Sequence, residues 1–259
     1  MKKEIPNILV VNDDGVDAPG IRTLMEAVKD LGRVVVVAPD GPQSGMGHAI
    51  TINKPLRLDR VFIYPDVEMY KSSGTPVDCV KLAVNKIFKG KKPDLCVSGI
   101  NHGLNQSINV IYSGTMSAAM EGAIESIPSI GFSYDDFTYD ADFSACVPFV
   151  KAIAKQVLDH GLPQGTLLNV NFPKTEKIKG VKICRQANAK WAEEFDERKD
   201  PHKRNYYWLT GVFQLNDKGE DTDVWALEND YASVVPVQFD LTAHHVIPQL
   251  NNWSFDVKP

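Results

Sequence analysis

Residues 7–20 read NILVVNDDGVDAPG, and the fold turns on the apolar run Ile8, Leu9, Val10, Val11, which stops at two adjacent carboxylates and a glycine. Apolar residues in unbroken succession predict a strand buried on both faces, as in a parallel sheet covered by helices. Asn12, Asp13, Asp14 and Gly15 then stand at its carboxyl end, where open α/β sheets place their ligands. Two neighbouring aspartates repel each other, and burying them unpaired is costly, so a cation between them is expected, a divalent metal being the simplest. The plainer alternative is an Asx turn that caps the next helix.

Outward from that strand the pattern repeats. Asp17 is expected to cap a helix over residues 18–30, with Ile21, Leu24, Met25 and Val28 at helical spacing and Gly32 as its stop. Residues 33–38 form a second buried strand, and residues 39–47 a loop rich in Gly, Pro and Ser, which completes a βαβ unit. Residues 50–52, 56–64 and 67–70 predict shorter, more exposed strands. Thr75, Pro76 and Asp78 mark the start of a helix that runs to about Ile87. Residues 93–98 are the next central strand, followed by a loop to Ser113, a helix over 115–125, a strand over 127–132, an amphipathic helix over 143–160 and a strand over 167–171.

After about Pro173 the texture becomes charged and poorly periodic. Residues 206–214 read as a strand, 216–219 as hairpin turn residues, 221–229 as a short helix and 232–237 as a strand. The predicted architecture is a Rossmann-like, doubly wound, mainly parallel α/β core over residues 1–173. A C-terminal extension over 174–259 packs on it, with hairpin arms for oligomerisation or as a lid and exposed Trp208 and Trp225.

Composition narrows the function. With 24% charged and 43% hydrophobic residues the chain is of ordinary globular type. A net charge of -5 argues against a non-specific grip on nucleic acid. The four cysteines, Cys79, Cys96, Cys146 and Cys184, form no CxxC pair, so neither a zinc site nor a disulfide framework is suggested. Two lysines precede the first apolar run, which is too short for a signal peptide, and no stretch reaches the ~20 apolar residues of a membrane span. A cytoplasmic location is expected.

Three loops at the ends of predicted parallel strands carry the polar residues: Asp13 and Asp14, then Ser44 in QSGMGH, then Asn101 and Asn105 in SGINHGLN. Carboxylates, a hydroxyl and an amide carbonyl suit one hard divalent ion, Mg²⁺ or Mn²⁺ with Ca²⁺ as a substitute, better than zinc. Gly15, Gly45, Gly47, Gly99 and Gly103 flank these residues and permit positive φ. Ser113, Gly114 and Thr115 open a helix whose N–H groups and dipole suit a phosphate, although a plainly capped helix reads the same way. A metal between carboxylates beside an anion cradle is the equipment for hydrolysing a phosphate monoester. Asp13 or Asp14 would orient or deprotonate the attacking water, a covalent aspartyl phosphate being the lesser variant, and His48 or His102 would protonate the leaving oxygen.

NDDGVDAPGI, APDGPQSGMGHAIT, SSGTPVDCVKLA, PDLCVSGINHGLN and YSGTMSAAMEGA stand in this order in the chain. Together they resemble the SurE survival-protein family of 5′/3′-nucleotidases, strongly over residues 7–135 and weakly to about 245. The resemblance implies a divalent metal on Asp13, Asp14, Ser44 and Asn101, and phosphate contacts from Asn105 and the 113–115 turn. It also implies hydrolysis of nucleoside monophosphates and a dimer or tetramer joined by C-terminal arms. Asp230, Val235 and Val237 depart from the family's usual residues without touching the metal positions.

Two rival readings remain at this point. A receiver-type signalling module has a similar acidic strand end, but it needs an acceptor aspartate where Ser98 and Gly99 stand. A haloacid-dehalogenase-type phosphatase needs a DxD arrangement, and here the aspartates are adjacent.

Overall fold

A computed structural model describes residues 5–89 and 91–255; the two lysines ahead of the first strand lie outside them. The central sheet is assembled from β1 (Asn7–Val11), β2 (Arg33–Pro39), β3 (Leu58–Val61), β4 (Glu68–Ser72), β5 (Leu95–His102), β6 (Ser129–Tyr134) and β7 (Thr166–Phe172). Two strands of the C-terminal segment, β8 (Val181–Ile183) and β13 (Ala232–Gln238), complete it, in the order β3-β4-β2-β1-β5-β6-β7-β13-β8. β1 pairs in parallel with β2 and with β5, so the chain reverses its winding direction there and opens a crevice beyond the carboxyl ends of these strands.

Why β1 is apolar throughout is visible in its packing. Ile8 and Val10 join a core with Ile21, Leu24 and Val28 of α1 (Pro19–Val28), and Leu9 and Val11 join the opposite core with Cys79 and Val80 of α2 (Pro76–Leu82). Helix α3 (Gly114–Ile124) covers that second face, and α4 (Val147–His160) covers the first beside α1. Alternate side chains of one strand thus serve two cores, as a sheet covered on both faces requires.

Several local expectations are corrected. Helix α1 has Ala18, not Asp17, at its N-cap, because Pro19 fixes the first helical position one residue later and leaves Asp17 exposed. Residues 50–52 form no strand. Strand β5 does not stop at Ser98; it continues through an irregularity to pair Asn101 with Ser133 of β6. A 3₁₀ turn, Ser107–Ile111, occupies the expected irregular loop. The α2 start is as predicted: Thr75 accepts from the N–H of Asp78 while Asp78 accepts from that of Thr75.

Beyond β8 lie β9 (Ala189–Ala192), β10 (Phe195–Lys199), β11 (Asn205–Leu209) and β12 (Val212–Leu215), followed by α5 (Asp223–Glu228). The single strand expected over 206–214 is therefore two. β11 forms a hairpin with β10, and β12 turns back to pair with β9. β13 then runs antiparallel to β7, so the sheet itself joins the C-terminal segment to residues 1–173.

Candidate active site

The crevice at the winding reversal holds the aspartate pair. Asp13 is almost wholly buried, and burial with the neighbouring Asp14 charge raises its pKa to about 6. Asp14 is also raised, chiefly by burial, against which the N–H of His102 works. Thr115 Oγ1 donates to Asp13 Oδ1 at 2.5 Å, and the Thr115 N–H supports the same carboxylate. The main-chain oxygen of Asp13 accepts from Gln43 N at 2.7 Å, which ties the Ser44 loop to the end of β1.

Asp13, Ser44 and Asn101 line one cavity of about 580 Å³ together with Asn105, Ser113 and His102. Asp14 opens into an adjoining cavity of about 490 Å³, and Ser44 and His102 border both. Four of the sequence-derived metal positions thus converge on a single junction, supplied by the ends of β1, β2 and β5. Asn101 Nδ2 donates to the carbonyls of His102 and Gly103 at 3.3 and 2.8 Å, which leaves its amide oxygen as the atom free for a ligand. All five flanking glycines, Gly15, Gly45, Gly47, Gly99 and Gly103, have positive φ.

The donor set can be tested against a hard cation. Asp14 Oδ2 and Asn12 Oδ1 are buried with no hydrogen-bond partner. A buried carboxylate oxygen without a donor costs free energy that an ion can offset. Among the described residues no three His, Cys, Asp or Glu side chains cluster for a metal. The oxygen atoms that border the junction, from the two carboxylates, Ser44 and Asn101, are of the kind that could hold Mg²⁺, Mn²⁺ or Ca²⁺.

The start of α3 plays a different part from the one read in the sequence. Thr115 is fully buried and both its donors serve Asp13, so it supports a carboxylate instead of facing a phosphate. Gly114 is needed for the same contact, since a Cβ there would lie 2.7 Å from Asp13 Cβ. Ser113 Oγ accepts from Met116 N at 3.0 Å as the helix cap while the residue still lines the larger cavity. A helix N-terminus favours negative charge, and the anion it meets is the protein's own.

The two histidines separate. His102 borders both cavities, its ring edge-on to Phe143 at 5.1 Å and its Nδ1 buried without a partner. His48 is not brought into the group: its Nε2 lies 3.0 Å from Glu121 Oε2, and Lys81 Nζ meets the other Glu121 oxygen at 2.6 Å.

Sequence reasoning missed the support beneath Asn105. Its N–H donates to Asn171 Oδ1 at 2.8 Å, its Nδ2 donates to Ser133 Oγ at 2.8 Å, and its carbonyl accepts from Asn169 Nδ2 at 2.8 Å. The signal was present in NVNF, where Asn169 and Asn171 fall on alternate positions of a strand otherwise apolar; both are buried. Trp191, Glu194, Leu209 and Thr210 of the C-terminal segment also line the larger cavity, which no local pattern announced.

The motif order, the converging loops and a family model now coincide: residues 8–193 match the model described as Survival protein SurE. The chain belongs to the SurE family. Among its relatives, the 5'-nucleotidase SurE of Flavobacterium psychrophilum is 63% identical over 97% of this chain and 98% of its own. That of Flavobacterium johnsoniae is 62% identical over 99% and 100%. The crystal structure of the SurE protein from Aquifex aeolicus superposes with a TM-score of 0.82 at 43% identity, covering 95% of this chain and 98% of that one. The mainly parallel α/β core is thus the SurE fold. At the place where a receiver would carry its acceptor aspartate, this SurE-family chain has Ser98 and Gly99, both buried.

Proposed function

We propose that this chain is a divalent-metal-dependent phosphomonoesterase that hydrolyses nucleoside 5′- and 3′-monophosphates to nucleoside and phosphate. Support for nucleotidase activity comes from the relatives that bear that name over nearly the whole chain. Support for metal dependence comes from one observation above all: the partnerless buried Oδ2 of Asp14 beside the buried Asp13, at the crevice that Ser44 and Asn101 also line.

A divalent ion held by Asp13, Asp14, Ser44 and Asn101 would supply Lewis acidity towards a phosphoryl oxygen. The remaining work falls to the chain. One aspartate of the pair orients or deprotonates the attacking water. Ser113 and Asn105, which also line the cavity, meet the other phosphoryl oxygens. His102, which borders both cavities, gives a proton to the leaving ribose oxygen.

The partner in this reading is a nucleoside monophosphate together with further copies of the chain, as a dimer or tetramer. The exposed strand β11, with Tyr206 and Trp208 open to solvent, supports assembly through the arms. No helix among the described residues is long and apolar enough to cross a membrane. The four unpaired cysteines are compatible with a cytoplasmic setting. Phosphate release from 5′-AMP and 3′-AMP by the purified protein, before and after EDTA and after Mg²⁺ or Mn²⁺ is restored, tests the proposal. Turnover of both esters that chelation stops is the expected result; turnover indifferent to chelation contradicts it.

A further inference from the structure

The larger cavity has a polar floor and an apolar wall, and the two come from different parts of the chain. Asp13 and Asn101 lie on the floor; Trp191, Leu209, Tyr112 and Phe137 form the wall. These four are all exposed, from 37% for Trp191 to 79% for Phe137, so the ring surfaces are left open beside the polar floor. Trp191 is nevertheless held in place. Its Nε1 donates to Asn109 Oδ1 at 2.8 Å and its ring stands edge-on to Phe213 with centroids 5.6 Å apart. A fixed, open indole face near an anion-binding floor is a stacking platform, because every nucleobase offers a π-face whatever its edge pattern.

We infer that Trp191 and Leu209 of the C-terminal segment, with Tyr112 and Phe137 of the core, form the nucleobase subsite. They make this chain select nucleoside monophosphates over phosphate esters that lack a base. The inference rests on the nucleotidase reading and adds to it the residues that set substrate class. The occupant follows from continuity: wall and floor are one cavity of about 580 Å³, so a phosphate on the floor carries its own nucleoside along the wall. Stacking of this kind tolerates any base and favours the larger purine face.

The test compares kcat/KM for 5′-AMP with that for ribose 5-phosphate, in the unmodified protein and in Trp191→Ala. The ratio is expected to fall about tenfold or more in the variant, the loss of one base–aromatic stack, and to fall chiefly through KM for 5′-AMP. Trp191→Phe, which keeps a ring without the Nε1 donor, is expected to retain most of the ratio, and it carries the test should Trp191→Ala fail to fold. A ratio unchanged in Trp191→Ala, or one that falls as far in Trp191→Phe, assigns Trp191 to the framework and overturns the inference. If the unmodified protein releases phosphate from neither ester, the nucleotidase reading itself has failed, a result separable from the first.

Discussion

Asp13 concentrates the physical conflict in this molecule. Burial and the Asp14 charge raise its pKa from the ordinary 3.8 to about 6, so without a cation the fold disfavours its ionised form. The sign follows by linkage: an acid weaker in the folded than in the unfolded state is neutral in both below about 4, and the penalty on folding grows between about 4 and 6 and is constant above. For a shift of this size the penalty is roughly 3 kcal/mol once both forms are ionised. Metal-free protein is therefore expected to gain stability from Asp13→Asn at pH 8 and almost none at pH 4, as read by urea unfolding at each pH. Equal changes at both would remove the assigned strain. The adjacent carboxylates were legible in the sequence because charge after an apolar run is conspicuous. Thr115 was read there as a phosphate contact, because a hydroxyl at a helix start has the same sequence signature whether it serves a ligand or a neighbouring side chain.

At the scale of elements, the start of α3 acts as a rigid shelf under β1. Gly114→Ala would set a methyl 2.7 Å from Asp13 Cβ and 2.8 Å from its Oδ2, so the carboxylate must shift. Turnover is expected to fall by about tenfold or more while the circular dichroism spectrum stays native, since a displacement near 1 Å at a reacting centre costs about this much or more. Unaltered turnover would detach α3 from the site. Thr75→Ala removes one half of the capping box on α2 and is expected to lower stability by ~1 kcal/mol without altering KM. A shifted KM in that variant would mean that α2 reaches the site. The capping box was readable from Thr75, Pro76 and Asp78 alone because its bonds are local. The extension of β5 to Asn101 was not, since its pairing partner, Ser133, lies 32 residues further on and the register shifts between Ser98 and Asn101.

For the whole molecule, the sheet order could be foreseen in outline because Ile8 to Val11 of β1, Val34 to Ala38 of β2 and Leu95 to Val97 of β5 are apolar runs and the connecting helices are strongly patterned. The C-terminal segment resisted such reading. β10 and β11 find only each other, and their outward side chains follow no core-facing alternation. Trp208 is 58% exposed on β11, and Trp208→Asp is expected to lower the oligomeric state seen by light scattering. An unchanged mass would place assembly on another surface. Yet β13, from the same segment, sits inside the sheet between β7 and β8, so the arm emerges from a fixed base and delivers Trp191 to the larger cavity. The sharpest test of how the molecule works is a calorimetric titration of chelator-treated protein with Mn²⁺, comparing the unmodified chain with Asp14→Asn. One site per chain whose affinity drops at least a hundredfold in the variant is the predicted result; equal binding by both proteins, or by neither, would contradict a metal centre on the β1 aspartates.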